Sequence, residues 1–211
     1  MALWDGFVEL FLFGLMSLST LYNGNIGFAI LTLSSIARLI FLPLTIKLAY
    51  RTILNQRKLK ELQPKLEKIK KLYRNNPEML ARETIAFYKR NGLNIFDIKS
   101  FLGILIQSPV FMGIFSAVRR FVKPGNRFLW IGDLTRPDFI LLVIVTALTY
   151  ITSIINPNLS GHARGAMTWV PVILTAVFLW RLSAAIGLYW AASNMVSIVQ
   201  AAILKYKTRN L

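Results

Sequence analysis

The sequence contains no cysteine and a single histidine, His162. Disulfides, thiol catalysis and cysteine-ligated zinc are excluded, and a histidine-pair metal site cannot be assembled. Acidic residues are scarce, nine Asp and Glu against 25 Lys and Arg, for a formal net charge of +16. None of the nine lies in the five long apolar runs of the chain. That removes a carboxylate proton relay, an intramembrane aspartyl protease and an H-E-x-x-H metalloenzyme from consideration. No internal repeat recurs at a fixed period, and the segment Met1–Tyr22 has no Lys or Arg, so it lacks the basic start of a signal peptide.

What is present is apolar. Hydrophobic residues make up 55% of the 211, charged residues 16%, and the mean hydropathy is +0.53. A soluble domain carries about 25% charge, so the chain reads as a polytopic membrane protein. The apolar runs are Ile26–Tyr50, Ser100–Val118, Phe139–Ile155, Thr168–Trp180 and Ala184–Leu204. The fourth is short for a span and is ended by Arg181. The expected fold is an all-α membrane protein. Its parts are an N-terminal interfacial amphipathic helix and loop (1–25), transmembrane helix 1 (26–50), a cytoplasmic antiparallel helical hairpin (51–99), and transmembrane helices 2–5 with a short basic tail (100–211).

Charge sets the expected orientation. Arg51–Lys99 holds 13 of the 25 basic residues and should stay cytoplasmic. The C-terminus, with Lys205, Lys207 and Arg209, then falls inside and the N-terminus outside. The loop near Arg119–Asp138 runs against the rule, with five basic residues on the outer side. In the first segment Trp4, Phe7, Val8, Phe11, Leu15 and Leu18 recur at helical spacing. An outside N-terminus places this helix in the outer interface; a sixth span with an inside N-terminus is the alternative. No metal, cofactor or catalytic constellation is expected, and the basic charge is not read as DNA binding.

Between the spans, Leu59, Leu62, Leu66, Ile69 and Tyr73 step by three and four as a short heptad seam. Asn76-Pro77 supplies an N-cap and first-turn proline for a second helix ending at Asn91-Gly92. Pro64 should kink the first helix or mark its true start. This basic hairpin is either a solvated pair that fixes orientation or a contact site for anionic head groups, ribosomal RNA or a targeting partner.

Arg38 carries the most information. It is residue 13 of a 25-residue span, about 18 Å from either end. A mid-membrane arginine costs ~3 kcal/mol on insertion scales and more on an isolated helix. With no Asp or Glu in any span, the offset must come from a water-filled cavity lined by neutral polar groups. Candidates are Ser34, Ser35 and Thr45 on the first span and Gln107 and Ser108 on the second. The third offers Thr146, Thr149, Thr152, Ser153 and Asn156, and the fifth Trp190, Ser193, Asn194, Ser197 and Gln200. Each stripe taken alone also suits ordinary helix packing. The site expected from these residues is a groove built by Arg38, Ser34, Ser35, Thr45, Gln107, Thr149, Ser153, Trp190, Asn194 and Ser197.

Several fragments, in order and spacing, resemble the YidC/Oxa family of membrane protein insertases. They cover nearly everything from Gly24 to Tyr206: Gly27-Phe28-Ala29-Ile30 through Arg38-Leu39-Ile40-Phe41-Leu42-Pro43-Leu44-Thr45, Leu62-Gln63-Pro64-Lys65, Ile69-Lys70-Lys71-Leu72-Tyr73, Tyr88-Lys89, Gly92-Leu93-Asn94, Leu105-Ile106-Gln107-Ser108-Pro109-Val110-Phe111, and Gly187-Leu188-Tyr189-Trp190 with Asn194 and Gln200. The chain departs from the family at Ile95, where a proline is common, and at Ser183-Ala184-Ala185, where Pro-Ala-Gly often stands. The resemblance implies reception of nascent membrane proteins and their release into the bilayer without nucleotide hydrolysis. It implies a bacterial inner-membrane location and a groove open to cytoplasm and lipid, and it matches Arg38 to the family's positive residue. Partners would include the Sec translocon and the ribosome. Rival readings are a small anion channel or transporter using Arg38 for selectivity, and a structural assembly factor.

Overall fold

The structure, a computed structural model, describes residues 2–92, 98–156 and 164–209. Asn94, Ile95, His162 and the side chain of Gln107 lie outside the described residues. Among those described are seven helices: α1 (Ala2–Leu21), α2 (Ile26–Leu72), α3 (Pro77–Arg90), α4 (Ile98–Phe121), α5 (Phe139–Ile155), α6 (Arg164–Leu179) and α7 (Ala184–Lys207). By length and composition, three of these could cross a membrane (Leu3–Leu21, Ile26–Leu72 and Ala184–Lys207), and Phe139–Ile155 and Thr168–Leu179 are shorter apolar helices.

Local chemistry sets the boundaries. Asn23 and Gly24 take positive φ between α1 and α2, and the Asn25 side chain accepts the Phe28 amide at 3.2 Å to start α2. Asn76 caps α3 the same way at 3.1 Å, with Pro77 at the first position. Asp138 caps α5 at 2.7 Å. No loop separates the apolar stretch ending at Tyr50 from the first helix of the hairpin, and Pro64 does not mark a new start. α2 runs unbroken for 47 residues and carries both Pro43 and Pro64 inside it. The residues after Tyr50 include no glycine and keep helical propensity, so nothing stops the helix when it leaves the apolar stretch. Pro64 is exposed, so the carbonyl it leaves without an amide partner can turn to solvent. α3 folds back on the far end of α2, where Leu66 is buried and Leu62, Ile69 and Tyr73 are half-buried; Leu59 stays exposed.

α7 is the centre of the bundle. Ala184, Ala185, Gly187, Ala191, Ala192 and Ser193 are buried on it, and these small side chains let α2 and α5 approach from two sides. α4 packs on α2, and α6 on α5. The pairings Arg38–Ser193 and Thr45–Gln200 share one offset of 155 residues, so α7 runs parallel to α2. Leu141 against Gly187 and Thr149 against Asn194 make α5 parallel to α7 as well. Phe139–Trp180 and Tyr150–Trp169 make α6 antiparallel to α5.

The α4–α5 loop closes the end of the bundle at which α2 begins. Phe128 is buried, stacks edge-on against Phe28 at 5.0 Å and lies on Gly27. The loop carbonyls of Arg136 and Leu134 accept the first-turn amides of α7, Ala184 at 2.8 Å and Ala185 at 3.0 Å. Hydrogen bonds from the Thr135 hydroxyl and amide, with Arg136 nearby, hold the Asp133 carboxyl below the ordinary aspartate range. α1 meets this same end twice. Its C-terminus joins α2 through a four-residue turn, and Asp5 near its N-terminus lies 3.8 Å from Arg120 in the last turn of α4. A 20-residue helix is about 30 Å long, so α1 crosses α2 and α4 obliquely and does not run the length of either. Val8, Phe11 and Leu15 face the bundle, and Leu10, Phe13 and Met16 face away.

Candidate functional site

Arg38 sits half-buried on α2 in a cleft between α2, α4 and α7. Its Nε donates to Ser193 Oγ at 3.2 Å. The cleft is narrow, with about 20 Å³ of room for water-sized molecules, enough for a water or two. Ser34, Ala37, Phe41 and Thr45 of α2 line it with Val110 and Ile114 of α4 and Tyr189, Val196 and Gln200 of α7. Two turns below Arg38, Thr45 Oγ1 and Gln200 Oε1 are 3.0 Å apart. The wall is apolar with a few neutral hydroxyl and amide groups, and no carboxylate is among the lining residues. α4 meets α7 through Phe111, whose ring is 5.5 Å from Tyr189 and 6.5 Å from Trp190.

Of the ten residues expected in one groove, the side chain of Gln107 lies outside the described residues, and the other nine do not share a single seam. Arg38, Ser34 and Thr45 line the cleft. Ser34 is fully buried and returns its hydroxyl to the Ile30 carbonyl; Ser35 does the same to Leu31 at 2.8 Å. Thr149 and Asn194 are buried between α5 and α7, where Asn194 Nδ2 donates to Thr149 Oγ1 at 3.0 Å. Thr175 of α6 lies 3.5 Å from the same hydroxyl. Ser153 is buried on α5, Ser197 bonds the Ser193 carbonyl at 2.9 Å, and Trp190 packs on Phe111. Adjacent helical residues point about 100° apart, so Ser193 and Asn194 serve different neighbours although they share a stripe in the sequence. Reasoning from the sequence left out of its site the polar lining residues Tyr189 and Gln200, the apolar wall, and Ser193, which meets Arg38; the seven-residue spacing of Ser193 and Gln200 was the available signal.

The α5–α7 seam makes a testable contrast. Thr149→Val leaves Asn194 without its acceptor and should cost about 0.6–1.7 kcal/mol, the range of interhelical hydrogen bonds in membranes. Thr146 Oγ1 is buried with no partner among the described residues, so Thr146→Val should be neutral or stabilising. Unfolding of both variants in bicelles gives the comparison, and equal losses would contradict it.

Comparison with known proteins bears on this arrangement. The family described as 60Kd inner membrane protein matches residues 17–210. A relative from Clostridium tetani named membrane protein insertase YidC is 32% identical over 194 residues, covering 90% of this chain and 86% of that protein. One of the same name from Fusobacterium nucleatum is 30% identical, over 90% of this chain and 91% of its own. A longer one from Campylobacter jejuni is 31% identical over 93% of this chain, and the chain spans only 37% of its length. Among solved structures, an active YidC insertase with its first transmembrane domain resolved aligns with a TM-score of 0.63 at 28% identity, over 97% of this chain and 46% of that one. The helical bundle, the arginine-bearing cleft and these matches together make the chain a member of the 60Kd inner membrane protein family, the family of the YidC membrane protein insertases.

Proposed function

We propose that this protein inserts nascent membrane proteins into the bilayer, using the Arg38 cleft as a polar way-station and no nucleotide hydrolysis. The observation that carries the reading is the guanidinium itself, which lies deep in an apolar helix and is met by a serine hydroxyl with no carboxylate in the cleft wall. A cation kept there at such cost has a positive charge to offer an incoming chain. Polar groups crossing hydrocarbon without partners cost several kcal/mol each. A hydrated cleft reaching mid-membrane shortens that path, and Arg38 holds an acidic or carbonyl-rich tail in transit. The apolar segment then partitions into lipid, releasing ~0.8 kcal/mol per buried CH₂.

In this reading α2, α4, α5, α6 and α7 are the five spans, with α2, α5 and α7 descending from an outer N-terminus to a cytoplasmic C-terminus. The α2–α3 hairpin stands in the cytoplasm and receives the chain from the ribosome, beside the Sec translocon or alone, with its cations near anionic head groups. The oblique course of α1 and its apolar outward face support a place in the outer interface. The groove takes Ser34, Thr45, Ser193 and Gln200 with Arg38, while Thr149, Ser153 and Asn194 hold the α5–α7 seam behind it.

Purified protein in proteoliposomes, given a single-span substrate with an acidic N-terminal tail, tests the proposal. Wild type should insert well above empty liposomes, Arg38→Ala should lose most of that activity, and Arg38→Lys should keep it. Wild type equal to empty liposomes would sink autonomous insertion. Ion flux without insertion would favour a channel.

A further inference from the structure

The α4–α5 loop ends in a feature the cleft does not explain. Phe128 and Ile131 exchange both backbone hydrogen bonds, at 3.0 and 2.8 Å, which makes a two-residue hairpin with Leu129 and Trp130 at its tip. The bases of the hairpin are fixed, since Phe128 and Ile131 are buried and Phe128 lies on Gly27. The tip is the reverse. Leu129 is 69% exposed and Trp130 47% exposed.

Leu129 also has φ +50, in the left-handed region and at a turn position where glycine is the usual occupant. A bulky residue there is an outlier in conformation and exposure together. Neither fits a loop tip in water. Trp130 is held with its polar edge inward, its Nε1 donating to Asp138 Oδ1 at 3.2 Å, so its ring presents an apolar face outward. Phe139 and Trp180, exposed and stacked edge-on at 6.5 Å, lie at the adjoining ends of α5 and α6.

Exposed cations stand in the same loop and in the neighbouring α6–α7 turn. Lys123, Arg127 and Arg181 are exposed, and none is within ion-pair distance of a carboxylate among the described residues. The two acids of the loop are already engaged: Asp133 with Thr135 and Arg136, and Asp138 with the α5 amide and Trp130. Unpaired positive charge at the same end of the bundle as an exposed aromatic and aliphatic tip matches a phospholipid surface, phosphates outside and acyl boundary within.

We propose that the α4–α5 loop is a membrane-inserting anchor, with Leu129 and Trp130 embedded at head-group depth and Lys123, Arg127 and Arg181 holding anionic phospholipid phosphates. This accounts for two of the five basic residues that oppose the charge rule in this loop, Lys123 and Arg127, which serve lipid rather than orientation; Arg120 and Arg136 already face Asp5 and Asp133. The assignment does not depend on the insertase reading.

The absence of cysteine makes the test clean. A nitroxide on Leu129→Cys is compared with one on Asn75→Cys, at the exposed far end of the helical hairpin, by accessibility to oxygen and to a water-soluble nickel complex. Vesicles are phosphatidylcholine alone or mixed with phosphatidylglycerol. At 129 the nickel accessibility should be several-fold lower and the oxygen accessibility higher than at 75. The 129 label should lie deeper in the anionic vesicles, and glutamine at 123, 127 and 181 should abolish that difference. Nickel access at 129 equal to that at 75 overturns the anchor. Equal depth in both vesicle types overturns the role of the cations. Protection that rises with protein density in the vesicle overturns it in favour of a second copy of the chain. Leu129→Asn, at ease in a left-handed turn, should melt no lower than wild type in detergent; a lower melting point would mean that Leu129 is kept for packing.

Discussion

Gly27→Ala should destabilise the protein by about 3 kcal/mol, near the upper end for overpacked interiors, although alanine normally favours a helix over glycine by about 1 kcal/mol. The sign reverses because of one neighbour. A β-carbon on Gly27 would collide with two ring carbons of Phe128 and fall 2.7 Å from its β-carbon. The ring cannot move aside easily, being buried and set edge-on to Phe28. Phe128→Ala alone should cost about 3–5 kcal/mol through the cavity it opens. With that ring gone, adding Gly27→Ala should cost almost nothing. Chemical unfolding of the four proteins in bicelles yields the coupling directly, and additive losses would mean that the contact is not what confines Gly27.

Arg38→Leu should produce opposite effects on stability and activity. Removing a cation from an apolar helix should stabilise the folded protein by about 2–3 kcal/mol, the scale of its insertion cost. The Ser193 hydroxyl left behind can turn to its own helix, as Ser197 does. Insertion of an acidic-tailed substrate should fall at least about ten-fold, equivalent to about 1.4 kcal/mol of lost interaction. Unfolding and proteoliposome insertion are measured on the same preparation. A variant that is both more stable and fully active would show that the charge is dispensable. One that is less stable would show that Arg38 is structural.

Much of this was legible in the chain. The start signal Asn76-Pro77 located α3, and the apolar run Phe139–Ile155 located α5, almost to the residue. Arg38 stood out because a lone charge in an apolar run has few inexpensive explanations. The continuity of α2 was not legible, since a shift from apolar to basic composition looks like a boundary while leaving helical propensity intact. Nor was the partition of polar stripes between two seams. Ser193 and Asn194 are neighbours in sequence, and only packing decides that one reaches Arg38 and the other Thr149. The Phe128 wedge depends on a contact between residues a hundred positions apart, for which a single sequence has no signal.

The unbroken α2 has a mechanical consequence. From Arg38 to Leu72 the helix extends about 50 Å at 1.5 Å per residue. It is therefore a lever, with the cleft at one end and the helical hairpin at the other. A tilt of roughly 10° about Arg38 would carry the far end about 9 Å on that length. Force applied to the hairpin reaches the cleft through one continuous helix with no loop between. Its two soft points are Pro43 and Pro64, where the hydrogen-bond ladder lacks an amide. Arg57 restrains the shaft between them, its Nη2 donating to the Thr208 carbonyl at the end of α7 at 2.9 Å. That contact ties the shaft to the end of α7 about 28 Å along the helix from Arg38.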